Sequence, residues 1–417
     1  MSKQNFYKVL KAELKRVDEA KVAKRNEKII EGFTGGSFPK ALIKGKKYSI
    51  FNSNDYLGLR FAKELRQGEE AASKKYGSGP GAVRFISGTF DLYRQLEKTV
   101  AKFHQREEGM VFSSAFAANL AVIACLSKGQ SKDSLVLADT LIISDELNHR
   151  SIIDGVRVAG LSKEQKLIYK HLDYDSLEQV LRENLGKFKR VLVITDGIFS
   201  MLGEYADIGK LEKICDKYDR QFEEGIFLIA DDSHGVGACG RNGRGCEELS
   251  SGKSDLLVGT FGKAFGSDGG YAVGDKILID YWRESAATYI YSNSVSPGVA
   301  GAALAALKLV DSAKGRKLLR NLRKNINHFK KLMKEKGFVF AAESIHPIQP
   351  ILIAEPVRTK ALTDELYKRG YLVTNINYPV VPKGKDEIRV QISAAQNRKD
   401  IEKFVKEAGE AWQRVNG

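Results

Sequence analysis

The stretch "GTFGKAFGSDGG", Gly259 to Gly270, holds one lysine, Lys263, among five glycines. Glycines on both sides of a lysine let the backbone come close to a flat ligand. A lysine that serves a phosphate by its charge would follow G-x-x-x-x-G and precede Ser or Thr. Here Ala264 follows, and the glycine spacing differs. Lys263 is therefore read for its amine, which forms a Schiff base once it has lost its proton. "IADDSHGVG" (Ile229–Gly237) places Asp231 three residues before His234. No further ligand stands at metal-binding spacing nearby, so no metal is expected. The aspartate is read instead as the carboxylate that keeps a ring nitrogen protonated. "SDELNHRSIIDG" (Ser144–Gly155) brings His149 in shortly after an apolar run, and "TDGIFSMLG" (Thr195–Gly203) ends another run in a glycine turn with Ser200. "FSSAFAANLAV" opens an alanine-rich helix with small residues. Its start is either a simple cap by Ser113 or Ser114 or an anion site at free N–H groups. An anion-binding helix start, a stacking histidine, an aspartate for a ring nitrogen and a Schiff-base lysine, in that chain order, describe a pyridoxal phosphate enzyme.

These residues all follow strand-like runs. "GMVFSS", "LIISD", "RVLVITDG", "GIFLIADD" and "DLLVGTF" are continuously apolar, as strands buried on both faces of a parallel sheet are. Helical patterns such as "DYDSLEQVLRENLGKF" lie between them. Ligands bind beyond the carboxyl ends of such strands. The expected fold class is thus α/β, with a large, mostly parallel domain over residues 51–295. Residues 1–50 read as an N-terminal arm, opening with a charged amphipathic helix. Residues 296–417 read as a smaller α+β C-terminal domain with strands at "PIQPILIAE", "YLVTNINYP" and "EIRVQISAA".

Composition narrows the classes. The 417 residues carry a net charge of +15, yet the basic residues are mixed with acids along helix-like segments. That is a solvated surface rather than a nucleic-acid patch. No apolar signal region and no membrane-length apolar run occur. The four cysteines form no C-x-x-C pair, which argues against zinc and disulfides and suits a reducing cytoplasm.

The sequence resembles the α-oxoamine synthases, pyridoxal phosphate enzymes of fold type I, over about residues 5–415. The likeness is carried by "SNDYLGL", "GSGPGAVRFISGT", "ISDELNHRSIIDG", "TDGIFSM", "DDSHGVG", "GTFGKAFG" and "NYPVVPKGKDEIRVQISAA". "NHRSIIDG", "YSNS" and "PVVPKG" are most similar to the glycine C-acetyltransferases (2-amino-3-ketobutyrate CoA ligases). Gln396, where relatives often have histidine, and Ala287-Thr288 depart from that pattern.

The resemblance implies roles. Lys263 would hold the cofactor and later take the substrate's α-proton. Asp231 would pair with the ring nitrogen, His234 would contact the phenolic oxygen, and His149 would stack on the ring. Ala115 and Phe116 would give N–H groups to the phosphate, with Ser200 and Thr260 completing the pocket. Ser292 and Asn293 would reach the cofactor of a neighbouring subunit, which implies a homodimer. Arg389 would clamp the amino-acid carboxylate, assisted by Asn54. The implied reaction is a Claisen-type condensation of an amino acid with an acyl-CoA, glycine with acetyl-CoA in the first reading. Alanine with pimeloyl-CoA (as in 8-amino-7-oxononanoate synthase) and serine with a long acyl chain (as in serine palmitoyltransferase) are the alternatives within the family. An aminotransferase and a non-catalytic regulator are the alternatives outside it. An ordinary lysine, with a pKa of about 10.4, is a poor base, so burial and cationic neighbours are expected to depress Lys263.

Overall fold

The computed structural model describes residues 2–19, 23–378 and 380–416. Helix α1 (Ser2–Glu19) is followed by three short strands, β1 (Gly32–Phe33), β2 (Ala41–Ile43) and β3 (Lys46–Ile50). Although residues 1–50 read as an arm, these strands do not stand free. β3 pairs in parallel with Tyr371–Leu372, so backbone hydrogen bonding ties this segment to the C-terminal domain.

The central sheet has seven strands: β4 (Glu108–Phe112), β5 (Thr140–Asp145), β6 (Lys166–Tyr169), β7 (Arg190–Asp196), β8 (Ile226–Asp231), β9 (Leu256–Thr260) and β10 (Gly270–Gly274). Their order is β4-β10-β9-β8-β7-β5-β6. β10 alone runs opposite to the other six strands. Every residue of β5, β7 and β9 is buried, because helices cover both faces of the sheet. The register decides the chemistry. Asp196 and Asp231 are cross-strand partners at the ends of β7 and β8, and Asp231 also faces Val258, two residues before the end of β9.

Helices α2 (Lys63–Tyr76) and α3 (Asp91–Phe103) pack against the helix Pro297–Val310. A Cβ on Gly301 would lie 2.3 Å from the Gly68 carbonyl oxygen, so the helices cross in backbone contact. The helix 297–310, just past the expected boundary at 295/296, thus packs on two helices of the large domain. The small domain is a four-stranded antiparallel sheet of β11 (Val339–Phe340), β12 (Ile348–Leu352), β14 (Thr374–Ile376) and β15 (Glu387–Gln391), in the order β11-β12-β15-β14. "YLVTNINYP" divides between two sheets: β13 (Tyr371–Leu372) joins β3 and β14 joins β15. Phe329, Phe404, Ile388 and Val390 bury the sheet against the helices Ala313–Glu335 and Arg398–Asn416.

Candidate active site

Helix α4 (Ala115–Ser127) starts where β4 ends. The Ser114 hydroxyl accepts from Ala117 N–H at 3.1 Å, and the Ser114 carbonyl accepts from Ala118 N–H. Ala115 and Phe116 are left at the helix start with N–H groups that carry no hydrogen bond among the described residues. Gly270 makes room for this end: a Cβ there would lie 2.1 Å from Ala115 N.

One turn further along α4, Asn119 is buried beneath the site. Its Nδ2 donates to Asp231 Oδ2 at 2.6 Å and to Ser151 Oγ at 2.9 Å. Ser233 N–H donates to the other Asp231 oxygen at 3.0 Å. The carboxylate is thereby fixed in place at the end of β8.

His149 caps helix α5 (Arg150–Val158). Its Nδ1 accepts from Ser151 N–H at 3.2 Å and lies 2.8 Å from Ser151 Oγ. Burial, with the positive Lys263 nearby, lowers its pKa despite the opposing Asp231 charge. A neutral ring whose Nδ1 accepts carries its proton on Nε2. Its backbone N–H donates to Asp196 Oδ2 at 3.0 Å. Burial first, then the Asp231 charge, push the Asp196 carboxyl well above its ordinary range, against the pull of Lys263 and the His149 N–H.

His234 is buried, and its Nδ1 is 2.8 Å from the Tyr56 hydroxyl. Desolvation, reinforced by Lys263 and Arg389, holds it well below 6.5 and keeps it neutral. His346 Nε2 donates to the His234 carbonyl at 2.9 Å, a second support from the small domain. Lys263 stands in the turn after β9, where desolvation lowers its amine to about 8 against the opposing pull of Asp231 and Asp196. The Thr260 hydroxyl donates to Gly269 O at 2.9 Å and accepts from Gly262 N–H at 3.1 Å, which closes that turn.

A cavity of about 230 Å³ gathers these groups. Ala115, Phe116, His149, Asp231, His234, Thr260 and Lys263 all line it. Ser200, Asn54, Arg389, Ser292 and Asn293 do not. Asn54 and Arg389 stand one residue back, around Tyr56. Asn54 Oδ1 accepts from Gln391 Nε2 at 2.8 Å and from the Tyr56 hydroxyl at 3.1 Å. The Arg389 guanidinium is buried near Tyr56, and its Nε has no partner among the described residues. Ser292 and Asn293 lie on the segment between the short helix Ala287–Ile290 and Pro297.

Residues 46–407 match the family described as aminotransferase class I and II. The 8-amino-7-oxononanoate synthase of Petrotoga mobilis is 38% identical over 402 residues, covering 95% of this chain and 96% of its own. The chain belongs to the α-oxoamine synthases. It is a pyridoxal phosphate-dependent acyltransferase of fold type I. Bacillus subtilis 8-amino-7-oxononanoate synthase 1 is 34% identical, with 95% of each chain covered. The solved 8-amino-7-oxononanoate synthase of Francisella tularensis superposes with a TM-score of 0.70 at 25% identity, covering 88% of this chain and 98% of its own. Sphingomonas wittichii serine palmitoyltransferase shares the fold at a TM-score of 0.86 and 23% identity, with coverage of 98% and 97%.

The residues of this synthase fit its cofactor. The free N–H groups of Ala115 and Phe116 suit a phosphate. Asp231, held by Asn119 and Ser233, presents an anion for a pyridinium nitrogen, and Lys263 presents an amine depressed toward neutrality. Sequence reasoning missed Asn119, Asp196, Ser151 and Tyr56. Asn119 had a visible signal, a lone polar residue in the apolar helix "AFAANLAVIACLS". Asp196 had a signal too, since it ends β7 as Asp231 ends β8.

Proposed function

We propose that this synthase joins L-alanine to pimeloyl-CoA, with release of CoA and carbon dioxide, as the name 8-amino-7-oxononanoate synthase describes. The carbon count balances: seven from the acyl group and three from alanine, less one lost as carbon dioxide, give a nine-carbon product. The supporting observation is the near end-to-end identity to curated 8-amino-7-oxononanoate synthases, 38% and 34% in the two cited above. None of those relatives carries a name that favours glycine with acetyl-CoA, the pairing that "NHRSIIDG" and "PVVPKG" suggested.

Bound pyridoxal phosphate supplies an electron sink that stabilises the negative charge left when the α-proton departs. The chain's residues do the rest. Ala115 and Phe116 N–H groups would hold the phosphate. Asp231 would keep the ring nitrogen protonated, and His149 would pack on the ring. His234, neutral and fixed by Tyr56, would hydrogen-bond the phenolic oxygen. Arg389 and Asn54 orient the amino-acid carboxylate, so the α-hydrogen points toward Lys263. The Lys263 amine takes that proton, and its depressed pKa suits it to do so near neutral pH. We further propose a homodimer in which Ser292 and Asn293 complete the partner's phosphate site, and Ser200 completes the pocket within one chain.

Thiol release from acetyl-, pimeloyl- and palmitoyl-CoA with glycine, alanine and serine tests the substrate reading. Turnover with alanine and pimeloyl-CoA at least about tenfold above every other pair is expected. Preferred release from acetyl-CoA with glycine would overturn it.

A further inference from the structure

Outside the cofactor cavity, one histidine is held on both sides. His171 follows β6, and its Nδ1 is 2.9 Å from Asp145 Oδ1 at the end of β5. Its Nε2 is 3.1 Å from Glu204 Oε2, and its ring meets Phe199 edge-on at 4.3 Å. Carboxylate oxygens accept and do not donate, so both ring nitrogens carry protons and the ring is a cation. This agrees with a pKa raised to about 9, where hydrogen bonds to Asp145 and Glu204 outweigh desolvation.

Glu204 belongs to a tight turn. Phe199 N–H donates to Glu204 O and Gly203 N–H to Phe199 O, both at 2.9 Å, and Ile198 bridges Tyr205. This turn touches three parts of the molecule. It begins beside Asp196, and Ile198 lines the cofactor cavity. On its far side the Ser344 hydroxyl of the small domain donates to Gly203 O at 2.9 Å. Gly203 has φ +71°, and a Cβ there would lie 2.5 Å from Ser344 Oγ, so the fit to the small domain is close. The Glu204 charge also reaches Glu387, which shares the face of β15 with Arg389.

We propose that His171 is a positioning residue. By holding Glu204, it fixes the 197–205 turn against the cavity, against Ser344 and against Ile348, which starts the strand that pairs with the one carrying Arg389. The amino-acid carboxylate is then met by Arg389 in a set geometry. Without the cation, Glu204 is an uncompensated charge in a turn packed on the small domain, and that packing loosens.

The proposal rests on the amino-acid half of the proposed reaction only, so its test needs no acyl-CoA. Holoenzyme is titrated with glycine, L-alanine and L-serine in turn, and binding is read from the change in cofactor absorbance. His171→Gln and Glu204→Gln are each expected to weaken amino-acid binding about tenfold, with the double variant no weaker than the single ones. The groups that face the imidazole are Asp145 from the end of β5 and Glu204 from the turn; Glu146 accepts from the His171 backbone N–H, and Tyr169 and Tyr174 stand around Asp145. Raising the pH from about 7.5 to about 10 removes the wild-type cation, so the variant-to-wild-type difference should shrink. Unchanged affinity in both variants overturns the proposal. So does an additive double variant, or a difference that stays constant with pH, since each marks a role in stability alone. A wrong substrate reading shows up differently, in which amino acid the wild type binds.

Discussion

At the scale of single residues, Lys263 sets a measurable rate. An amine with a pKa near 8 is about one-tenth neutral at pH 7, whereas one at an ordinary 10.4 is neutral in roughly one molecule in a few thousand. Only the neutral amine attacks the cofactor aldehyde. Uptake of pyridoxal phosphate by apoenzyme, followed by stopped-flow absorbance, should rise about tenfold per pH unit up to about pH 8 and then level off. A rise that continues to pH 10 would show an amine that burial has not depressed. Asn119 gives a second test. Asn119→Ala removes the donors to Asp231 Oδ2 and Ser151 Oγ, leaving a buried carboxylate under-satisfied. Cofactor affinity is expected to fall about tenfold, consistent with about 1–3 kcal/mol for a lost partner of a buried charged group. Equilibrium dialysis of the variant checks this, and wild-type affinity would contradict it. The residues legible in the sequence were those whose type is unusual at a strand end: lysine, histidine, aspartate. Asn119 and Tyr56 were not, because their roles depend on distances between segments far apart in sequence. Tyr56 meets His234 at 2.8 Å across 178 positions.

At the scale of elements, the site depends on how closely β10 meets α4. Five of the central strands were legible as continuous apolar runs. β6 and β10 were not. β10 is "GYAVG", with a glycine at each end and weak strand propensity, and it is a strand because β4 and β9 pair with it on both sides. Its first glycine is there for space rather than for backbone freedom. Gly270→Ala would put a carbon 2.1 Å from Ala115 N and 2.2 Å from the Ser114 carbonyl carbon. The start of α4 must shift, and its two free N–H groups shift with it. The expected outcome is a loss of cofactor affinity of at least about tenfold, with circular dichroism unchanged. Retained affinity would mean the helix start does not carry the phosphate. The same reasoning applies to the helix contact just past residue 296. Gly68 and Gly301 bring two helices together across the expected boundary, and a pair of glycines gives no such signal in the sequence.

At the scale of the whole molecule, the cavity wall comes from the large domain, and the proposed carboxylate clamp joins Arg389 of the small domain to Asn54 of the large one. Tyr56 and the 197–205 turn join them. The α/β class and the presence of a second domain were legible, because they follow from strand periodicity. The seam was not, because it is built from isolated buried polar groups. Glu387 is one of these. Neither of its carboxyl oxygens has a partner among the described residues. Burial raises its pKa to about 8 against the pull of Arg389, with Glu204 adding to the rise. In the unfolded chain a glutamate titrates near 4.3. A carboxyl raised on folding stabilises the fold below the unfolded value and loses that contribution as the pH rises toward the folded one. Wild-type stability should therefore carry a Glu387 penalty that grows between about pH 4.3 and about pH 8. Glu387→Gln keeps the shape and removes the titration. Relative to wild type, its melting temperature should rise by several degrees between about pH 5 and about pH 8, since a carboxyl moved from about 4.3 to about 8 is worth about 3–4 kcal/mol over that range. A difference that stays flat with pH would mean Glu387 finds a partner as it ionises, most directly Arg389. In that case the seam would be held by an ion pair rather than by a neutral acid.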